Sequence, residues 1–219
     1  MVDDTRQRLL NSAGQIFAEK GFEAASVREI CLRAEANIAG VHYHFGDKRQ
    51  LYVEAVRVAQ CAQSDEIPFP EWPADMPPTD RLRVFVGTMF ERMLDSRRPK
   101  WHLQLMLREL AHPTEACEAI VKDYIRPMAD KLRSILTDLL PPELDEMERW
   151  RMGFSIVGQI LFYYVNRPIV RLLIGPEAYE QLTVETLADH VTRFSLAAIG
   201  HRPPVVSLAA ASPPPEVVP

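Results

Sequence analysis

An all-α fold is predicted by three features of the chain. Apolar residues recur three and four positions apart in almost every segment, as on one face of a helix. No run alternates apolar and polar residues between hairpin turns. Residues that cap helix N-termini stand in front of the apolar stripes, at Ser26, Asn37 and Asp47. Hydrophobic residues make up 47% and charged residues 25%, which predicts a packed core rather than disorder.

The elements follow in order. Leu9, Ala13, Ile16 and Phe17 form one stripe, and Gly21 ends that first helix. Ser26-Val27-Arg28-Glu29 reads as a capping box opening a second helix, whose stripe is Val27, Ile30, Cys31 and Ala34. Asn37 caps a short third helix carrying Val41 and Phe45, which Gly46 and Asp47 break. Asp47 caps a fourth helix through Leu51, Ala55, Val58 and Ala59. Five prolines between residues 64 and 78 forbid a continuous helix and mark a loop. Helices are then expected over Asp80–Ser96, Pro99–Ala111, Glu115–Leu140, Glu143–Asn166, Arg167–Gly175 and Val184–Ile199. Residues 201–219, rich in proline and poor in large apolar groups, are expected to be disordered.

This organisation divides the chain into a small head over 1–60, a larger helical body over 61–200 and a tail. The net charge is −5, yet basic and acidic side chains balance within residues 1–60, so the acidity lies in the body. An acidic total excludes a histone-like coat but not one positive face. Cys31, Cys61 and Cys117 are odd in number and lack a CxxC spacing, so neither a disulfide framework nor structural zinc is indicated, and a reducing cytoplasm fits best. The longest apolar stretch, Met152–Val165, is shorter than the roughly 18 residues that a membrane span needs.

Two short helices joined by a tight turn and packed on a longer one form a helix-turn-helix unit. The same arrangement occurs as an ordinary bundle corner, but the third helix displays Asn37, His42, Tyr43 and His44, groups suited to base edges and phosphates. Lys48 follows at the next helix start, where amides and an ammonium together suit a phosphate. The stretch Tyr43-His44-Phe45-Gly46-Asp47-Lys48 with Leu51, preceded by the capping box and by Phe17, Gly21 and Phe22, resembles the TetR family of bacterial regulators. Trp101 to Leu110, His112-Pro113-Thr114, Gly158 to Tyr163 and Arg167-Pro168 resemble that family's CecR branch. Two positions depart from the pattern: Glu35 stands in the turn where many members have glycine, which implies another turn geometry, and Gly40 weakens a recognition helix.

The resemblance implies a role for each matched position. Asn37, Ile38, Gly40, His42 and Tyr43 would face the major groove of operator DNA. Ser26, Val27 and Arg28 would sit at a helix start near the backbone, His44 and Lys48 would touch phosphate, and Phe45 would anchor the helix. The expected function is a ligand-responsive, homodimeric repressor with no cofactor. A cavity for a small hydrophobic or amphipathic molecule is expected in the body, lined by Phe85, Met89, Met93, Trp101, Leu105, Met106, Tyr124, Trp150, Phe154, Phe162 and Tyr163. Any one of these is accounted for by a filled core; their number argues for a pocket. Polar selectors would include His102, Gln104, Arg108, Gln159 and Asn166. The dimer seam is expected on the Met152–Val165 and Val184–Ile199 helices, where Gly153, Ser155 and Gly158 permit close approach.

Two other function classes were weighed. Glu109 and His112 form an ExxH, the spacing used by di-metal helical bundles, but no second copy exists and Pro113 follows at once. An Arg108–Glu109 salt bridge with His112 capping carbonyls is the simpler expectation. The Pro213-Pro214-Pro215 tail of a scaffold protein would need a basic flank that is missing.

Overall fold

A computed structural model describes residues 2–94 and 99–201, all of them helix or connection, with no strand among them. The tail expectation falls on 202–219, outside the described residues. The helices are α1 (Val2–Ala24), α2 (Val27–Arg33), α3 (Ile38–Phe45), α4 (Lys48–Glu66), α5 (Pro78–Leu94), α6 (Lys100–Ala111) and α7 (Ala116–Ile120). A π turn, Val121–Ile125, joins α7 to α8 (Arg126–Leu139), and α9 (Glu146–Val165), α10 (Arg167–Ile174), α11 (Pro176–Glu180) and α12 (Val184–Ala198) follow. The expected loop at 64–78 is shorter than the prolines suggested: α4 runs to Glu66, and Pro78 opens α5, as a proline can at a first helical position. The α11 turn was not anticipated. Gly175 at φ +83° reverses the chain, and Pro176 starts a new turn at once.

Two compact units result, and their boundary differs from the expected one. The first unit holds residues 1–71 and also 91–132; the second holds 72–90 and 133–219. The first unit is therefore larger than a 60-residue head, because α6 and α7 pack on α1 and α4. Its core contains Leu9, Leu10, Ala13, Ile16, Phe17, Val41, Phe45, Leu51 and Tyr52 together with Trp101, Leu105, Met106 and Ile120. Phe17 lies edge-on to Tyr52 with ring centroids 4.9 Å apart, in the favoured quadrupole arrangement.

Two glycines of α1 let α6 come close. A Cβ on Gly14 would lie 2.3 Å from the Trp101 ring. Gly21, at φ +81°, kinks the end of α1 rather than ending it, and a Cβ there would meet the Arg108 guanidinium at 2.7 Å. Arg108 Nη1 points at the carbonyls of Ala18 and Glu19, 3.5 and 3.4 Å away, so a cation covers the negative end of the α1 dipole. Arg6 of α1 and Arg57 of α4 both bond Glu54, at 2.5 and 2.8 Å. The Arg57 hydrogen bond, with help from Arg6, holds the Glu54 carboxyl below its usual range.

The second unit buries Leu82, Phe85, Val86, Met89 and Phe90 of α5 with Ile135, Leu136, Ile156, Ile160, Leu187 and Val191. Arg81 bonds Asp138 at 2.8 Å, and Arg83 bonds Asp189 at 3.1 Å. Such partly exposed pairs orient helices but contribute only about 0–1 kcal/mol each. Among the described residues no helix is long and apolar enough to cross a membrane.

Gly14→Ala sets two effects against each other. Alanine gains about 1 kcal/mol of helix propensity, but it forces the buried Trp101 ring to move, and overpacking costs about 1–3 kcal/mol. A net loss of stability in denaturant unfolding is expected, with part of it recovered by adding Trp101→Phe. A more stable Gly14→Ala protein would show that the α1–α6 contact is looser than this.

Candidate nucleic-acid interface

The α2–α3 turn is built from backbone bonds. Ala36 N–H donates to Cys31 O at 2.9 Å and Glu35 N–H to Leu32 O at 3.3 Å, the paired bonds of a Schellman motif. That motif needs a left-handed residue, and Glu35 supplies it at φ +49°. Glu35 thus does not change the turn, as its departure from the glycine pattern had suggested. It adopts the glycine conformation and carries the strain.

Each helix of the motif is capped by a side chain. Ser26 Oγ accepts from Glu29 N–H at 3.1 Å, but the return arm of the expected capping box is absent. Glu29 instead bonds Lys20 of α1 at 2.6 Å, tying α2 to the first helix. Asn37 Oδ1 accepts from Ala39 N–H at 3.1 Å, and Asp47 Oδ1 from Gln50 N–H at 2.8 Å. The Asn37 oxygen therefore serves the backbone of α3, which leaves only the Nδ2 group of this exposed side chain for the expected base contact.

On α3, Val41 and Phe45 face inward and are buried, while Ile38, His42 and Tyr43 face outward. Tyr43 is 79% exposed, which leaves its ring and hydroxyl available to a groove. Gly40 lies on the inner flank, where a Cβ would reach Leu9 at an ordinary 3.5 Å. Gly40 itself is half-buried, so it borders α1 on one side. His42 Nδ1 lies 2.7 Å from Gly46 O. A carbonyl only accepts, so Nδ1 carries the proton and Nε2 of the neutral ring is an outward acceptor. That suits the exocyclic amines of adenine or cytosine. His44 is half-buried between the Tyr43 and Phe45 rings, at 4.9 and 6.1 Å.

Lys48, the first residue of α4, donates to Glu23 O at 3.2 Å and sits 4.6 Å from the Phe22 ring centroid. The ammonium is pre-positioned by the end of α1 rather than swinging freely. Ser26 and Arg28 are exposed and Val27 half-buried at the start of α2.

The expected pocket residues are divided between the two units. Met93, Trp101, Leu105, Arg108 and Tyr124 belong to the first unit, and Phe85, Met89, Trp150, Phe154, Gln159 and Phe162 to the second. Trp101 and Leu105 fill the core beside α1, and Arg108 caps α1, so these three are corrected from pocket to packing. Phe85 and Met89 are buried on α5. Phe154 and Phe162 are 64% and 51% exposed on the outside of α9, with Trp150 stacked on Phe154 at 5.7 Å. Gln159 turns back to Ser155 O at 3.3 Å.

The ExxH pair also separates. Glu109 is fully buried and His112 is exposed. Glu109 makes no salt bridge to Arg108, contrary to expectation. Its carboxylate accepts from Tyr52 Oη and, at 2.6 and 2.9 Å, from Thr114 N–H and Oγ1. Burial, and then the Glu109 hydrogen bond, push the Tyr52 phenol well above its usual range. The sequence carried no signal for this pairing, since 57 residues separate the partners.

Glu35→Gly tests the turn. Relief of left-handed strain is worth about 1–2 kcal/mol, and the added freedom of the unfolded chain costs about 0.4–1 kcal/mol. The expected result is a small rise in melting temperature, about 1–3 °C for a chain of this size. A fall would mean that the Glu35 side chain contributes more than its backbone costs.

Comparison with known proteins agrees with this geometry. The family model described as the bacterial regulatory proteins, tetR family, matches residues 9–55. The model of the C-terminal domain of the HTH-type transcriptional dual regulator CecR matches residues 78–199. The chain is 23% identical over 199 residues to CecR of Shigella flexneri, covering 87% of this chain and 89% of that one. It is 25% identical over 211 residues to the transcriptional regulator YerO of Bacillus subtilis, covering 94% and 70%. Among solved structures, AibR in complex with isovaleryl coenzyme A and operator DNA superposes with a TM-score of 0.62 at 20% identity, over 86% of this chain and 96% of that one. The fatty acid degradation regulator FadR of Bacillus halodurans gives 0.60 at 16% identity, over 87% and 97%. With its tetR-type head, its Schellman turn and its outward-facing α3, the chain belongs to the TetR family of helix-turn-helix transcriptional regulators and carries a CecR-type C-terminal domain.

Proposed function

We propose that this regulator is a homodimeric repressor that places α3 in the major groove of its operator and leaves the DNA when the second unit binds a small molecule. The observation that carries the groove assignment is the two-sided α3: Val41 and Phe45 are sunk in the core, and Ile38, His42 and Tyr43 project outward. Ile38 suits a thymine methyl, His42 Nε2 a base amine, and Tyr43 an edge or a phosphate. Lys48 beside the N-terminus of α4 suits a phosphate.

An exposed apolar surface on the second unit supports dimerisation. Phe162, Val165 and Phe194 are each about half exposed, and the Phe162, Tyr163, His190 and Phe194 rings run in sequence across α9 and α12. A Cβ on Gly158 would meet nothing within 4 Å, leaving room for another helix. Two heads on a dimer must lie about 34–36 Å apart to enter successive grooves, and a ligand that favours another spacing weakens binding by its differential affinity. The AibR structure holds both an acyl coenzyme A and operator DNA, which supports a chain of this fold taking both kinds of partner. Within the second unit, the buried hydroxyls of Thr192 and Ser195 lack hydrogen-bond partners among the described residues and suit a polar ligand group.

Selection of bound sequences from random DNA supplies the operator for the test. Lys48→Ala is expected to weaken binding to all sequences alike and lower the salt slope by about 1. Tyr43→Ala or Ile38→Ala is expected to lose about 1–3 kcal/mol of discrimination at one base position. Asn37→Ala is a poor probe, because loss of the cap costs about 1 kcal/mol of helix stability. If Lys48→Ala changes sequence preference while Tyr43→Ala and Ile38→Ala do not, α3 is not the reading helix.

Dimerisation has its own test. Sedimentation of the unmodified protein is expected to give twice the chain mass, and Phe162→Glu with Phe194→Glu to give a folded monomer that no longer shifts the operator. A dimer that survives both charges would place the seam elsewhere.

A further inference from the structure

The first unit carries an open groove of about 530 Å³ between the α6–α7 connection and the π turn, lined by Pro113, Thr114, Cys117, Glu118, Val121, Lys122 and Arg126. No residue that lines it was expected from the sequence to bind a ligand. Its size lies within the range of small-molecule sites. Its walls are apolar: the Pro113 ring, the Val121 side chain, the Cys117 thiol and the stems of the two cations. Lys122 and Arg126 outnumber Glu118, and neither cation pairs with a carboxylate among the described residues. Val121 and Lys122 belong to the π turn, a distortion that appears mostly where a helix serves a site.

The groove is wired to the helix that follows α3. Thr114 on its wall donates through N–H and Oγ1 to buried Glu109, whose other oxygen accepts from Tyr52 of α4. Glu115, next to Thr114, bonds Arg49 at 3.1 Å, one residue after the phosphate-binding candidate Lys48. A ligand that moves Thr114 therefore disturbs α4 at both Arg49 and Tyr52.

We propose that this groove is an effector site for an amphipathic monoanion, a carboxylate on an aliphatic tail, and that its occupancy is transmitted to the recognition helix through Thr114, Glu109 and Tyr52. The tail would lie along Pro113, Cys117 and Val121, and the carboxylate between Lys122 and Arg126. Cys117 acts as an apolar wall and not as a nucleophile: burial, with the Glu109 and Glu118 charges, pushes its thiol up and keeps it protonated. The site is distinct from any ligand site in the second unit, and it relies on the operator-binding reading only for its readout.

The test uses the full chain, the selected operator and dodecanoate below its micelle concentration, with dodecan-1-ol as the uncharged control. Calorimetric titration is expected to show one dodecanoate per chain, with the alcohol at least ten-fold weaker. The surface variant Lys122→Glu with Arg126→Glu is expected to melt as the parent does and to bind dodecanoate at least ten-fold more weakly. Cys117→Trp, which fills the groove, is expected to act alike. Operator affinity should fall over the same dodecanoate range, and Tyr52→Phe should keep dodecanoate binding but lose most of that fall. Absence of dodecanoate binding, or equal binding by the charge-reversed protein, overturns the site even if the operator is bound normally. Binding in the groove with no change in operator affinity, or an undiminished effect in Tyr52→Phe, overturns the relay. Should the chain fail to bind any DNA, the operator reading falls, and the calorimetry still judges the groove.

Discussion

The close approach of α6 to α1 is the constraint on which the first unit depends. It exists because Gly14 and Gly21 have no side chains where Trp101 and Arg108 must lie. Trp101 brings the largest apolar side chain available into the core, and Arg108 covers carbonyls that the kink at Gly21 leaves at the end of α1. With α6 in place, α4 has a second surface to pack on, and the short α2 and α3 lie on a core that neither could form alone. Helices of seven and eight residues are too short to persist by propensity, so packing must hold them.

The buried Glu109 is the polar counterpart of that contact. A carboxylate with no exposure is costly unless its oxygens are satisfied, and here Tyr52 and Thr114 satisfy both. An apolar pair of the same shape could fill the space at less cost. What the carboxylate adds is direction: it joins one position on α4 to one turn after α6. Tyr52 also stacks edge-on against Phe17 and Phe22, so the bond and the aromatic core locate the same helix. This fixed α4 carries Lys48 and follows α3 directly, and so the geometry of the reading surface rests on it.

The departures from expectation share a cause. Gly40, Asn37, Trp101, Leu105 and Arg108 were each assigned from residue type, as a contact or a pocket wall. In each case the neighbouring backbone or a helix distant in sequence uses the position first. Asn37 satisfies the first amides of α3, Gly40 accommodates Leu9, and Arg108 serves the end of α1. An aromatic or methionine count across a long segment does not distinguish one cavity from two cores, because it holds no information on which unit each residue joins.

The sequence by itself determined the helical class, the head with its capped short helices, the family, and the division of α3 into an inner and an outer face. These are local properties: caps, periodicity and turn residues act within one or two turns of the chain, so they are legible without the fold. Only the tertiary structure decided that α6 and α7 join the first unit, that Glu35 takes the left-handed conformation within an unchanged turn, and that Glu109 bonds Tyr52 and Thr114 rather than Arg108. It alone brought the residues between Pro113 and Arg126 around a groove and linked them to α4. The physical reason is separation along the chain. Contacts across tens of residues depend on which surfaces meet, and composition and spacing do not encode that meeting for any single pair.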